Sequence, residues 1–160
     1  MSGGLDTVLV VVHVPAGLAA VMTGATAMLA VKGGRTHRRA GLAYLAALAV
    51  VGLSGTGLVV TRWPLFPHLF GLAVAAGMLA GAGYAARRRP SHVPHLLAMG
   101  MSYVAMLTAF YVDNGPRLPL WRLLPASAFW ILPSLVALPL LFRAVHRHGR
   151  SDRSRVGAAP

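Results

Sequence analysis

The sequence predicts an all-α integral membrane bundle of five transmembrane helices, with the N-terminus outside and the C-terminus cytoplasmic. Three observations carry this. Hydrophobic residues make up 56% of the 160 positions and charged residues only 11%, and the mean hydropathy of +0.65 exceeds what a soluble domain can hide. Five apolar stretches, each near the roughly 20 residues a helix needs to cross hydrocarbon, fill most of the chain. The basic residues fall almost wholly on alternate connections between them.

Span one covers about 7–31 and ends at Lys32-Gly33-Gly34-Arg35. A cleaved signal peptide is the competing reading. The first residues carry Asp6 and no cation, and the apolar run is longer than a signal peptide's, so a mature helix is expected. Span two covers 42–61, span three 67–86, span four 93–112 and span five 123–142. Together they form one transmembrane domain, 1–146, followed by a basic cytoplasmic tail, 147–160, expected to fray.

The cations give the orientation. Four follow span one (Lys32, Arg35, Arg38, Arg39), three follow span three (Arg87, Arg88, Arg89) and five follow span five (Arg143, Arg147, Arg150, Arg153, Arg155), against three on the other side (Arg62, Arg117, Arg122). The positive-inside rule puts the first twelve in the cytoplasm, so the protein is expected to be multi-pass in the cell membrane. Trp63 and Trp121 fall at the opposite, outer ends as interfacial anchors, and Leu118-Pro119-Leu120-Trp121 reads as a short stretch along that interface. Gly77 and Gly81 form a GxxxG pattern expected to pack within the chain, while Pro15, Pro133 and Pro139 can kink their helices.

A net charge of +12 suggests nucleic acid in a soluble protein, but here the cations serve the span ends. The expected partner is a lipid bilayer with anionic headgroups, with no nucleic acid; a homo-oligomer or a membrane partner protein stays open. The absence of Cys removes disulfides, thiolate metal sites and thiol nucleophiles. There is no Glu, and the three Asp are Asp6, Asp113 and Asp152, so paired-carboxylate catalysis has no candidates. Gly52-Leu53-Ser54-Gly55-Thr56-Gly57 lies inside a span without the Lys of a phosphate loop and reads as packing. Met99, Met101 and Met106 read as core filler.

Histidine is the remaining chemistry. His13 sits about six residues, or roughly 9 Å, into span one, His68 at the outer end of span three, His37 before span two, and His92 and His95 at the start of span four. His13 to His37 and His68 to His92 are both 24 residues. Laying the first hairpin on the second without gaps also pairs Lys32 with Arg87 and Thr36-His37 with Ser91-His92, as diverged repeats would. Two layers of imidazole result, and His13, His68, His37 and His95 are candidate ligands for haem b or partners of a quinone. His13, His68 and Asp113 are a candidate metal set. In the plainer alternative His13 donates to a carbonyl or to a hydroxyl such as Thr23, Thr56 or Ser102. His37 and His92 then sit among headgroups, with Thr36 and Ser91 as N-caps and Pro94 in the first turn.

Thr36-His37-Arg38-Arg39-Ala40-Gly41-Leu42-Ala43-Tyr44 resembles the His-Arg-x-x-Gly-x-x-Tyr element of small bacterial membrane proteins grouped as domain of unknown function 2306. His95 with Met99, Ser102 and Tyr103, then Met106 through Gly115, resembles the late-span pattern of the same group, so the likeness covers about 13–140. The Trp-Met and Arg that often follow the second His there are missing here. The resemblance implies a multi-span membrane protein without a demonstrated activity and directs attention to His37, Arg38, Tyr44, His95 and Asp113. The expected role is an uncharacterised, non-enzymatic one, with haem- or quinone-linked electron transfer and a small-solute or metal carrier as the alternatives.

Overall fold

The computed structural model describes residues 2–62 and 67–156, with side chains at 4–60 and 67–147. It is all helical: α1 is Ser2–Leu29, α2 Arg35–Arg62, α3 Pro67–Ala86, α4 Val93–Asn114 and α5 Ala126–Val156. All five are long and apolar enough to cross a membrane. Only 11% to 28% of each span is buried within the chain, so most of every helix surface is apolar and uncovered, as lipid-facing helices require.

The chain divides into two compact units, Met1–Gly77 and Met78–Pro160. In the first, α1 pairs with α2. The turn between them depends on Gly33, whose φ of 77° lies in the left-handed region that side chains with a Cβ avoid. Its continuation differs from the sequence expectation. The cationic stretch Arg35 to Arg39 forms the first turn of α2 and is not a loop ahead of it, so Thr36 lies inside the helix and is no N-cap. Arg and Ala are good helix formers, and charge stops a membrane span without stopping a helix.

In the second unit α4 packs on α5 and on the C-terminal end of α3. The N-cap of α4 is His92 and not the expected Ser91, which stands one residue earlier and accepts the Val93 N–H at 3.3 Å; Pro94 stands in the first turn as expected. The Leu118 to Trp121 stretch is bracketed by 3-10 turns at Gly115–Arg117 and Trp121–Leu123, with Leu120 and Leu123 about four-fifths exposed. Trp121 is more than an anchor, since its ring lies 4.9 Å from that of Tyr111. Trp63 lies outside the described residues. The basic tail continues α5 as helix to Val156 where fraying was expected.

Close backbone approach occurs at other glycines than the GxxxG pair. A Cβ placed at Gly77 or Gly81 meets nothing within 4 Å, so the expected packing there is absent. At Gly57 it would lie 3.0 Å from Leu9, at Gly83 2.7 Å from Met99, and at Gly115 2.6 Å from the Phe129 ring. These three residues let α1 meet α2, α3 meet α4, and the end of α4 meet α5.

Candidate functional site

Span hydroxyls in an apolar medium need partners, and most find one four residues back on their own helix. Thr23 donates to Ala19 O at 2.6 Å, Thr26 to Met22 O at 2.7 Å, Thr56 to Gly52 O at 2.7 Å and Thr108 to Val104 O at 2.9 Å. Ser54, which is buried, does the same toward Val50 O at 2.6 Å, but its oxygen also meets another helix. The Nδ1 of His13 lies 3.0 Å from Ser54 Oγ. The single hydroxyl proton is directed at Val50, so Oγ accepts and His13 Nδ1 carries the proton. The imidazole lies against the α2 backbone at Gly55, where a Cβ would stand 3.2 Å from its Cε1. His13 therefore joins α1 to α2 inside the span. Ser54, the partner found within this hairpin, was not among the hydroxyls expected for it.

His37 and His95 share a different arrangement. His37 is the third residue of α2, and its Nδ1 donates to Ala27 O in the last turn of α1 at 2.8 Å. His95 is the third residue of α4, and its Nδ1 donates to Gly83 O in the last turn of α3 at 2.7 Å. A carbonyl oxygen only accepts, so both imidazoles carry their proton on Nδ1. Each pins the start of a returning helix to the end of the one before. The sequence echo pairs His37 with His92, but the residue with the same role is His95; the bond closes 10 residues of chain in the first hairpin and 12 in the second. His92 is exposed and caps α4 through its backbone position, without a side-chain hydrogen bond to the helix.

Around the first pin, Lys32 Nζ donates to Met28 O at 2.6 Å and Ala27 O at 3.3 Å, and Arg38 Nε to Gly33 O at 3.0 Å. Cations thus cover the C-terminal carbonyls of α1, where the helix dipole favours them. Desolvation against the helix end lowers the Lys32 ammonium below the ordinary lysine range. In the second unit Arg87 instead donates to Tyr84 O and lies over the Tyr84 ring, 3.4 Å from its centroid.

The remaining expected site residues are placed as follows. His68 is exposed, at the second position of α3. Asp113 lies near the end of α4, its carboxylate 4.0 Å from Arg117 Nη1 and 3.4 Å from Asn114 Nδ2. Among the described residues no group of three or more His, Cys, Asp or Glu side chains is arranged to hold a metal. Of the positions singled out by resemblance, Tyr44 is buried seven residues after His37, as Ser102 is seven residues after His95. Met99 fills the space that Gly83 leaves open.

Sequence reading missed Ser54 and the carbonyls of Ala27 and Gly83. Ser54 was visible as one of two hydroxyls among the glycines of span two, the other being Thr56; backbone acceptors carry no sequence signal. No family model, curated protein or solved structure matches the chain.

Proposed function

We propose that the chain is a multi-pass, non-enzymatic component of a bacterial cytoplasmic membrane, akin to the domain of unknown function 2306 group. Its N-terminus is outside, and its C-terminus and its turns at Lys32 to Arg39 and Arg87 to Arg89 are in the cytoplasm. One observation carries the non-enzymatic reading. His13, His37 and His95 each use Nδ1 to join two helices of their own hairpin. Intramembrane polar groups used this way hold helix pairs together without needing a ligand.

The test is the visible spectrum of the protein purified in detergent, oxidised and reduced, with metal analysis of the same sample. A colourless, metal-free protein whose His13→Ala variant is less stable supports the proposal. A Soret band lost in His13→Ala and His68→Ala overturns it in favour of a b-type haem protein. That second reading has one observation on its side: an Nδ1–H held by an oxygen orients the ring and makes Nε2 the basic nitrogen, the arrangement seen in ligating histidines. Substrate-dependent uptake by vesicles, abolished by His13→Ala, would instead indicate a small-solute or metal carrier. Orientation is read from reporter fusions: a cytoplasmic reporter active at residue 1 and silent at residue 160 would reverse it.

A further inference from the structure

The turn between α1 and α2 holds two kinds of basic residue. Lys32, His37 and Arg38 bond to backbone carbonyls of the turn and of α1, and so serve the fold. Arg35 and Arg39 do not. Both are exposed, both lie on the first turns of α2, and neither has an ion pair among the described residues. Four residues apart, they stand side by side on one helix face, where two like charges repel. The one carboxylate described in this unit, Asp6, belongs to the opposite end of α1. The same connection carries the two most exposed large apolar side chains among the described residues, Leu29 at 88%, the last residue of α1, and Val31 at 84%, in the turn.

Unopposed guanidiniums next to bare aliphatic side chains at the end of a membrane span match a molecule that is anionic at one end and apolar at the other. We propose that Arg35 and Arg39 bind the phosphate of an anionic phospholipid whose acyl chains lie along Leu29 and Val31. The proposal deepens the membrane reading and rests on it. A shared phosphate relieves the repulsion between the two arginines, because planar guanidiniums donate paired hydrogen bonds to its oxygens. The corresponding turn of the second unit is the natural comparison. Arg88 and Arg89 are exposed there too, but the adjoining residues are the buried Ala86, Pro90 and Ser91, with no apolar pair beside them. Charge without an apolar skirt attracts any anionic surface and selects no lipid.

The experiment uses the full chain in mixed micelles of phosphatidylcholine and phosphatidylglycerol, with retained lipid counted by native mass spectrometry. The unsubstituted protein is expected to retain phosphatidylglycerol preferentially. Arg35→Ala/Arg39→Ala is expected to lose that preference by about 30-fold, at the contribution typical of a cation near an anionic leaflet. Arg88→Ala/Arg89→Ala is expected to keep it, and Val31→Ser to weaken it. Equal retention by the Arg35/Arg39 variant, or an equal loss in the Arg88/Arg89 variant, overturns the proposal. Displacement by inorganic phosphate also overturns it, because the ligand would then be a soluble anion. Should the double variant fail to fold, Arg35→Gln carries the same test with an expected loss of about fivefold. The membrane reading is tested first and separately: a chain that is monodisperse in water without detergent overturns it before any lipid is added.

Discussion

Replacing Ser54 by alanine removes the α2 acceptor of the His13 Nδ1 proton, and with it this inter-helix bond. The bond is 3.0 Å long and Ser54 is 5% exposed. A hydrogen-bond partner lost from a buried site costs at most about 1–3 kcal/mol. Inter-helix hydrogen bonds in membranes have a net worth nearer ~0.6 kcal/mol, with a maximum of ~1.7 kcal/mol, because the unfolded chain in the membrane also finds partners. The two figures bracket the outcome at about 1–2 kcal/mol of destabilisation for Ser54→Ala, and 1 kcal/mol is about a fivefold change in the folded-to-unfolded ratio. His13→Leu removes the donor together with its need, and so the double variant should be less damaged than the sum of the two singles by ~0.6–1.7 kcal/mol. Reversible unfolding in mixed micelles by dodecyl sulfate, followed by far-UV ellipticity, measures the cycle. Additivity within ~0.3 kcal/mol would refute the claim that this contact joins α1 to α2.

The other predictions concern the turns and the glycines. Gly83→Ala is expected to destabilise by about 1–3 kcal/mol, since its Cβ meets both the side chain and the backbone nitrogen of Met99, whereas Gly77→Ala, which meets nothing, should be neutral or stabilising in the same unfolding assay. Lys32 gives a pH dependence of definite sign. Its folded pKa lies below the ordinary 10.5, so the unfolded chain binds more protons in the window just beneath that value, and stability should rise with pH there; Lys32→Gln should flatten the rise. Asp113→Asn should change stability by less than about 0.5 kcal/mol, because the pair with Arg117 is long and exposed. Metal analysis of that variant would reveal any ligand role.

The five spans were legible because lipid demands long, uninterrupted apolar runs, and no other feature of a sequence is so extended. The start of α2 was not, because the hydropathy change at Leu42 marks the membrane border while the helix begins at Arg35. The histidines were visible as anomalies, but their partners were hidden. Ser54 meets His13 through the register of two helices 41 residues apart in sequence, and Ala27 and Gly83 act through backbone oxygens that every residue owns. The GxxxG pattern misled because small residues permit close approach without compelling it, and the approaches formed at Gly57, Gly83 and Gly115 instead.

The pins at His37 and His95 have a bearing on how each returning helix is set about its own long axis. Each lies on the opening turn and reaches back to the helix before it. A bond so near one end holds the rotation of that end, and with it the side that the rest of the helix turns toward its neighbour. In the first hairpin the deep contact between His13 and Ser54 agrees with that setting, so rim and interior hold α1 and α2 in one azimuth.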